Sequence, residues 1–251
     1  MKIAILSDIH SNLEALEKSS FILSKKKVDE IVCLGDIVGY GANPKECLKL
    51  ARENIKYIVL GNHDQVACDL TNISDFNRYA AEAALWTHKI LSSDEKDFFK
   101  NLTYNIFIEN LMFVHSSPYK PEKWYYITNV QEATFCFKHF ENKICFIGHS
   151  HIPEIFSDSD KKSSIHPTNI VTEKDYVSYL YSLDKENKYI INVGSVGQPR
   201  DLDWRLSFGV FDTENWIYEN IRAEYDVDRA ASKIYEAKLP KYLGDRLLLG
   251  K

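Results

Sequence analysis

The chain has 251 residues, of which 45% are hydrophobic and 27% charged, and a formal net charge of -5 at pH 7. A chain of this length can form one core, so we expect a single domain over residues 1–251. An acidic balance lacks the positive surface that broad nucleic-acid binding requires. No apolar run is long enough to cross a membrane, and Asp8 and His10 interrupt the apolar N-terminus before a signal-peptide core could form. These features predict a cytoplasmic protein.

Short apolar runs separated by helical segments mark the N-terminal part of the chain. The three predicted strands span residues 2–6, 30–34 and 55–60. Strands that alternate with helices at this spacing predict βαβ units with parallel strand pairing. The helix before the third strand is predicted to begin at Pro44, because proline is favoured in the first turn of a helix.

Two sequence patterns predict where further helices begin. Ser11 followed by Glu14 predicts a capping box for the helix after the first strand. Residues 76–100 are rich in helix formers and contain a second such pattern from Ser92 to Glu95. We expect this segment to form a helical layer that covers a sheet.

The second half of the chain changes to β structure. Two apolar runs that flank residues 109–110 predict a hairpin, and further strands are predicted at residues 144–147, 189–193 and 207–211. Residues 130–140 are predicted to be helical, residues 216–223 to form a half-exposed edge strand, and Asp226 to cap a final helix. The polar stretch 157–188 has no clear period and is expected to be a hairpin or loop extension.

Five of the eight histidines follow predicted strands. The carboxyl ends of strands in an open α/β sheet meet at one edge, so these loops can converge. Asp8 and His10, like His149 and His151, are two residues apart, and alternate residues of an extended segment point the same way. Imidazole and carboxylate suit divalent metals such as Mn, Fe, Zn, Co or Ni, and the set exceeds what one ion needs, so we predict two ions. The candidate ligands are Asp8, His10, Asp36, Asn62, His115, His149 and His151.

The candidate ligands lie in motifs with a distinctive order: Asp-x-His, Gly-Asp, Gly-Asn-His-Asp, a lone histidine and Gly-His-x-His. In order and spacing this set resembles the calcineurin-like metallophosphoesterase family over nearly the whole chain. Residues 35–41 and 194–201 are similar to the branch that contains bacterial and archaeal phosphodiesterases and asymmetric diadenosine tetraphosphate hydrolases. The resemblance implies an α/β fold, a four-layer α-β-β-α sandwich of two mixed sheets flanked by helices.

The resemblance also implies a role for individual residues. It gives one metal to Asp8, His10 and His151 and the other to Asn62, His115 and His149, with Asp36 bridging them. His63 is implied to be a general acid or a stabiliser of the transition state, with Asp64 orienting it. Tyr40, Arg200 and Arg205 are candidates for contacts with a small phosphorylated substrate, because arginine suits bidentate phosphate binding.

The implied reaction is hydrolysis of a phosphodiester or phosphoanhydride bond by a hydroxide shared between two metals. Dinucleoside polyphosphates are one candidate substrate class. A Ser/Thr protein phosphatase is an alternative, but that branch usually continues its second motif as Gly-Asp-x-Val-Asp-Arg-Gly, whereas residues 39–41 here are Gly-Tyr-Gly. A catalytically silent metal scaffold is a second alternative, which nothing in the sequence favours, because every expected ligand and His63 are present.

Several of these residues also have a structural alternative. Asn62 can be a turn residue after a glycine, and Tyr40 can be a packing residue on a tight turn. Arg200 and Arg205 can be surface cations. The aromatic run of residues 124–126 can stack on a nucleobase, although core or surface packing is the commoner role of such side chains.

Overall fold

A computed structural model describes residues 1–69, 71, 73–159 and 165–251 of the chain. The strands are β1 (Lys2–Leu6), β2 (Glu30–Cys33), β3 (Tyr57–Ile58), β4 (Asn105–Ile108), β5 (Leu111–Val114), β6 (Ile144–Ile147), β7 (Glu154–Ser157), β8 (Asn169–Thr172), β9 (Val177–Ser182), β10 (Tyr189–Asn192), β11 (Leu206–Asp212) and β12 (Ile217–Ala223). The α-helices are α1 (Leu13–Lys25), α2 (Pro44–Asn54), α3 (Asn62–Asp69), α4 (Arg78–Ile90), α5 (Ser93–Lys100), α6 (Val130–Cys136), α7 (Val227–Glu236) and α8 (Lys241–Leu247). No helix in the described ranges is long and apolar enough to cross a membrane.

The strands form two mixed sheets. The larger sheet has seven strands in the order β3, β2, β1, β11, β12, β9 and β8. Its first three strands pair in parallel, as the alternation of strands and helices predicted, and the other neighbours pair antiparallel. The smaller sheet has five strands in the order β4, β5, β6, β10 and β7, with parallel pairing at its centre and antiparallel strands at both edges.

The two sheets face each other across a buried apolar layer. Ile3 and Ile5 of β1 point into this layer, where they meet Phe113 of β5 and Phe146 of β6. Each fully buried side chain of this kind stabilises the fold by about 1.5–3 kcal/mol. The other face of the larger sheet, which includes Leu6, packs against helices such as α1, α2 and α7. The outer face of the smaller sheet packs against α6. The fold is therefore the predicted four-layer sandwich.

The capping box predicted from Ser11 and Glu14 is wrong. Helix α1 is capped by the next residue, since the Asn12 side chain accepts a hydrogen bond from the Ala15 N–H at 3.2 Å. Ser11 has a φ of 55°, whereas an N-cap residue normally has extended backbone. Among the described residues the buried Ser11 hydroxyl has no hydrogen-bond partner.

Other predicted helix starts are confirmed. Pro44 lies in the first turn of α2. The Ser92 hydroxyl and the Glu95 carboxylate both complete the capping box at α5. The Asp226 carboxylate accepts a hydrogen bond from the Arg229 N–H at the start of α7. At α5 and α7 the capping side chain accepts hydrogen bonds from backbone N–H groups that the first turn leaves unpaired. At α2 the proline lacks the N–H that would be unpaired there.

Two other predictions need correction. The strand at β12 is not an edge, because it pairs with β11 on one side and with β9 on the other. The strand predicted over residues 55–60 is reduced to β3, which has two residues. Two helices, α3 over residues 62–69 and α8 beyond α7, were not predicted.

The polar stretch 157–188 contributes a hairpin to the larger sheet. Strands β8 and β9 pair antiparallel, with Thr172 opposite Val177, and β9 continues the sheet by pairing with β12. The prediction of a hairpin is therefore met over the described part of this stretch, and residues 160–164 lie outside the described residues.

Candidate metal centre

The predicted ligands come together where strands of both sheets end. Asp8 follows β1, Asp36 follows β2, and Asn62 is the first residue of α3, shortly after β3. On the smaller sheet, His115 directly follows β5 and His149 follows β6. Parallel strands direct their carboxyl ends to one edge. The two facing sheets therefore bring all these loops to one place.

The side chains form two adjacent groups that could each hold a metal ion. One contains Asp8, His10 and His151, and the other contains Asp36, His115 and His149, with the ligand atoms of each group within 4.8 Å of one another. In the first group, the His10 Nε2 and His151 Nε2 atoms are 3.2 Å apart. In the second, His115 Nε2 is 3.1 Å from His149 Nδ1 and 3.1 Å from the Asn62 Oδ1 atom.

Asp36 lies between the two groups. Its Oδ2 atom is 3.6 Å from His10 Nε2 and 3.4 Å from His115 Nε2. Its Oδ1 atom accepts a hydrogen bond of 2.8 Å from the His63 main-chain N–H. One carboxylate oxygen is thus fixed by the main chain, and the other faces histidines of both groups.

The histidine rings are oriented by main-chain carbonyl groups. The Nδ1 atom of His10 lies 3.1 Å from the Val38 carbonyl. The corresponding distances are 2.8 Å from His115 to the Leu34 carbonyl and 2.6 Å from His151 to the Gln198 carbonyl. A carbonyl only accepts hydrogen bonds, so the ring donates from that nitrogen and turns Nε2 toward the centre. His149 is reversed: its Nε2 faces the Trp124 carbonyl at 3.0 Å, and its Nδ1 faces the centre.

The Asp8 carboxylate is also held in a fixed orientation by hydrogen bonds. Its Oδ2 atom accepts hydrogen bonds from the Ser7 hydroxyl at 2.6 Å and from the His149 N–H at 3.0 Å. Its Oδ1 atom is buried, has no hydrogen-bond partner in the part of the chain that the structure describes, and lies 3.2 Å from His151 Nε2. A buried carboxylate oxygen without a partner is costly. This donor set of imidazoles and carboxylates fits two divalent transition-metal ions.

The charges of the second group depend on Asp36. Burial lowers the pKa of His115, but the Asp36 and Asp8 carboxylates and the hydrogen bond to the Leu34 carbonyl together outweigh burial and raise that pKa to about 9. His115 therefore keeps a proton that a metal ion would displace. Burial raises the pKa of Asp36, but His115 and His63 hold it well below its usual value. Burial, reinforced by repulsion from His115, lowers the pKa of His149 to about 3, so its Nδ1 lone pair is free.

Five candidate ligands have a backbone conformation that L-residues rarely adopt. Their φ angles are 53° at Asp8, 49° at His10, 53° at Asp36, 64° at His149 and 63° at His151. The sequence argument that residues two apart lie in extended segments is therefore wrong. Asp8 and His10 do share a group, but His149 and His151 belong to different groups. Left-handed backbone of this kind costs about 1–3 kcal/mol at each residue and is concentrated at functional sites.

Comparisons with known proteins agree with this geometry. The sequence profile of the calcineurin-like phosphoesterase superfamily domain matches residues 1–216. An uncharacterized protein from Methanocaldococcus jannaschii is 38% identical over 254 residues, which cover 99% of this chain and 98% of that protein. The chain belongs to the calcineurin-like phosphoesterase superfamily.

Two solved structures are similar to this phosphoesterase over its whole length. A metallophosphoesterase from Sphaerobacter thermophilus is 35% identical, with a TM-score of 0.84, and the match covers 100% of this chain and 99% of that one. A hypothetical protein from Pyrococcus horikoshii has the same fold, with a TM-score of 0.79 at 17% identity, and the match covers 100% of this chain and 98% of that one.

His63 lies beside both metal groups of the phosphoesterase. Its ring packs against those of Tyr40 and His10, with centroid distances of 4.3 and 4.9 Å. Gly39 makes room for it, because a Cβ atom there would lie 2.6 Å from His63 Nδ1. That Nδ1 atom is buried and has no hydrogen-bond partner in the described residues. Burial lowers the pKa of His63 to about 4, so the ring is uncharged at neutral pH.

Asp64 does not make the contact with the His63 ring that the resemblance implied. Its carboxylate accepts hydrogen bonds from the main-chain N–H groups of Val38 at 3.1 Å and Gly61 at 3.3 Å, and not from the His63 ring. Burial, together with repulsion from Asp36, raises the pKa of Asp64 to about 8. Asp64 therefore ties together the loops that carry Asp36 and His63.

The two candidate arginines differ. The Arg200 guanidinium is held by the Gln198 side chain at 2.8 Å and lies 3.4 Å from the Tyr40 hydroxyl, next to the metal groups. Arg205 instead forms a bidentate ion pair with Asp203, at 2.9 and 2.6 Å. The prediction that Arg205 contacts substrate is not supported by this placement, because its Nε and Nη2 atoms face a neighbouring carboxylate.

Some contacts of the centre could not be found from the sequence. The carbonyl groups that orient His149 and His151 belong to Trp124 and Gln198, and every residue has a carbonyl, so no side-chain signal marks them. Arg246 of α8 is a further cation near Arg200: burial and the charge of Arg200 lower its pKa. The signal available for Arg246 was a basic residue in a C-terminal helix, which is too common to be informative.

Proposed function

We propose that this phosphoesterase hydrolyses phosphodiester or phosphoanhydride bonds with two divalent metal ions. In this proposal Asp8, His10 and His151 hold one ion, Asn62, His115 and His149 hold the other, and Asp36 bridges them. The observation that carries the proposal is the position of the Asp36 Oδ2 atom, 3.6 Å from His10 Nε2 and 3.4 Å from His115 Nε2. A single carboxylate oxygen can contact both ions only where two groups adjoin in this way.

The charge balance of the ligands supports an anionic substrate. Only Asp8 and Asp36 among the ligands are carboxylates, so they leave part of the charge of two divalent ions uncompensated. Two bound ions supply Lewis acidity toward phosphoryl oxygens and lower the pKa of water, which gives a nucleophile at neutral pH. The residues of the chain have to bind, orient and protonate the substrate around that centre.

Arg200 and His63 are suited to these tasks. Arg200 carries a guanidinium that is already oriented by Gln198, and a planar guanidinium binds two phosphate oxygens at once. The His63 ring lies near the metal groups, and its Nδ1 atom has no hydrogen-bond partner among the described residues. The neutral ring can donate a hydrogen bond to a phosphoryl oxygen, and it becomes a general acid for the departing oxygen when a bound anionic phosphate raises its pKa. Tyr40 supports both residues, because its ring contacts His63 and its hydroxyl lies near Arg200.

The native metals and the substrate belong to the same proposal. A ligand set with four histidines favours transition metals such as Mn, Fe, Zn, Co or Ni over Mg or Ca. Residues 35–41 and 194–201 resemble those of phosphodiesterases and asymmetric diadenosine tetraphosphate hydrolases, so dinucleoside polyphosphates are the substrate class to test first. Asymmetric cleavage of diadenosine tetraphosphate gives ATP and AMP.

A substrate panel on protein of known metal content tests the proposal. Diadenosine tetraphosphate, cyclic nucleotides, nitrophenyl diesters and a phosphopeptide are compared before and after chelation, with the metals measured by elemental analysis. We expect about two ions per chain and hydrolysis that chelation abolishes. Full activity in metal-free protein would contradict the proposal. Activity on the phosphopeptide alone would favour a protein phosphatase, and two ADP molecules as products would rule out asymmetric cleavage.

A further inference from the structure

A cavity of about 260 Å³ opens beside the second metal group. Asn62, His63 and His149 form the part that adjoins the metal groups. Tyr40, in the loop between β2 and α2, also lines the cavity, and most of the rest comes from two separate segments of the chain. Val66, Phe76 and Ala80 belong to the region of α3 and α4, whereas Lys123, Trp124 and Tyr126 belong to the loop before α6. We call this cavity the aromatic cleft.

Two aromatic rings of the cleft continue the rings of the metal centre outward. Tyr126 stacks on His149, with ring centroids 4.1 Å apart and an interplanar angle of 21°. Phe76 packs on His63 with a centroid distance of 4.5 Å. Tyr126 nevertheless remains 52% exposed. One face of an ordered aromatic ring is thus available next to the place where a phosphoryl group would bind.

Polar side chains line the cleft beside its aromatic rings. Asn62, His63 and His149 adjoin the metal groups, and Asp75, Asn77 and Lys123 lie on the two segments that form the other walls. Lys123 is exposed and, within the described residues, takes part in no ion pair or side-chain hydrogen bond. Near the start of α4 the Asn77 Oδ1 atom already caps the helix. Aromatic rings with polar groups beside them are the usual composition of a site for a planar heterocycle.

The size of the cleft limits its occupant. Pockets for drug-sized ligands usually measure about 300–1,000 Å³, and 260 Å³ lies just below that range. The cleft has room for one ring system with its sugar. Because Asn62, His63 and His149 line it, a group bound there lies next to a phosphate held at the metal centre.

From these contacts we infer that the aromatic cleft binds one nucleoside of the substrate, with the base stacked on the free face of Tyr126 and in contact with Phe76. The inference rests on the proposed function, because it places the nucleoside on a phosphate held by the metals. Tyr126 and Phe76 are then residues that determine specificity, and they take no part in the bond cleavage itself.

Binding of AMP and of ribose 5-phosphate to the metal-loaded protein tests the inference. The two probes share the sugar and the phosphate, so calorimetry of both isolates the contribution of the base. Wild-type protein should bind AMP more tightly. Base stacking on an aromatic ring contributes about 1–3 kcal/mol, so Tyr126→Leu should weaken AMP binding by about 5- to 150-fold and leave ribose 5-phosphate unchanged. Tyr126→Phe, which keeps the ring, should retain AMP affinity.

Tyr125 offers a matched control. It is 49% exposed, close to the value for Tyr126, but stacks on Tyr119 at a centroid distance of 6.1 Å and does not line the cleft. Tyr125→Leu should bind AMP like wild type. Metal content and thermal unfolding are measured for each variant to show that the centre and the fold are intact.

Each outcome separates the inference from the proposed function. Equal affinity of wild-type protein for AMP and ribose 5-phosphate would overturn the inference, and so would equal losses in Tyr125→Leu and Tyr126→Leu. Metal-dependent hydrolysis of nitrophenyl diesters without any preference for AMP would leave the proposed function standing and remove the inference. Binding of AMP that depends on Tyr126, in a protein that hydrolyses no phosphoester, would support the inference and remove the proposed function.

Discussion

The two metal groups differ in what holds them in place. The group of Asp8, His10 and His151 is supported by the segment that follows β10. There the Ser195 hydroxyl and the Gly197 N–H donate to the Asp8 carbonyl, at 2.8 and 2.9 Å. The Gln198 carbonyl orients His151. These supports are buried between strands of the two sheets.

The group of Asp36, His115 and His149 has a support that lies nearer the surface. His149 is oriented by the carbonyl of Trp124, in a loop whose neighbouring residues Lys123 and Tyr126 are exposed. The same loop lines the aromatic cleft. One metal group is therefore supported by buried main chain, while the other shares its support with the loop that lines the aromatic cleft.

Removing the residue that both groups share should have the largest effect. Asp36→Asn weakens the carboxylate contact with both ions, so we expect loss of both metals and a fall in kcat/KM beyond about 10⁴-fold, the upper end of what one proton-transferring residue contributes. Elemental analysis and steady-state kinetics measure the two effects. Asp97→Asn, at an exposed aspartate of α5, is the control and should behave like wild type. Retention of two ions with normal activity would refute the bridging role.

His63→Asn should separate the chemistry from both metal groups. Because His63 lies outside both sets of ligands, the variant should keep two ions. A general acid contributes roughly 10²–10⁴-fold, and a nitrophenolate leaves well without a proton, so alkyl esters should lose more activity than nitrophenyl esters. Values of kcat/KM for both ester types provide the measurement. An equal loss on both would show that His63 stabilises phosphoryl charge, and loss of an ion would place it among the ligands.

A substitution at Trp124 should weaken metal binding in one group and leave the other unchanged. Trp124 has a φ of 55°, which a β-branched residue strongly disfavours. Trp124→Val should therefore shift the carbonyl that orients His149. The metal in the group of His149 should bind about tenfold more weakly, and the affinity of the other group should be unchanged. Tenfold is the lower end of the 10–100-fold range for such supporting contacts. Titration in metal buffers resolves the two affinities.

Trp216 provides the control for this substitution. It has a φ of 54° in the turn between β11 and β12, and does not line the aromatic cleft. Trp216→Val should lower stability without changing either metal affinity. Equal weakening of both metals in Trp124→Val would mean that the two groups do not have independent supports.

The smallest effect is expected at Gln198, in the support of the first group. Gln198→Met keeps the main-chain carbonyl that orients His151 and removes the side-chain oxygen that holds Arg200. Metal content should stay at two ions, and KM should rise about two- to twelvefold, which corresponds to a net hydrogen bond of about 0.5–1.5 kcal/mol. Gln131→Met, at an exposed position, is the control. Two retained ions with unchanged KM would show that only the main-chain carbonyl of Gln198 matters.

Much of the fold and of the centre could be predicted from the sequence. The strands β1, β2 and β6 are nearly continuous apolar runs, and each is followed by a carboxylate or histidine. Such runs are typical of strands buried on both faces, and the polar residue that follows each one is easy to recognise. Parallel pairing then brings the ends of these runs to one edge.

What the sequence could not provide is the local direction of the chain. The division of His149 and His151 between two groups depends on left-handed backbone at both residues. The family resemblance implied this division, whereas the two-residue spacing alone predicted that both side chains point the same way. The failure at Ser11 has the same origin. Arg205 was a reasonable candidate by type, but its Nε and Nη2 atoms face its neighbour Asp203, and a local ion pair of this kind depends on the turn between them.

The left-handed backbone at Asp8, His10, Asp36, His149 and His151 also has an evolutionary consequence. Glycine or asparagine would adopt these angles at lower cost, so a lineage under selection for folding alone would gain stability by replacing the ligands. In the proposed function, metal binding is the advantage that keeps the costly residues in place. Among proteins with this fold, glycine at these five positions would therefore mark those that have given up catalysis and kept the scaffold.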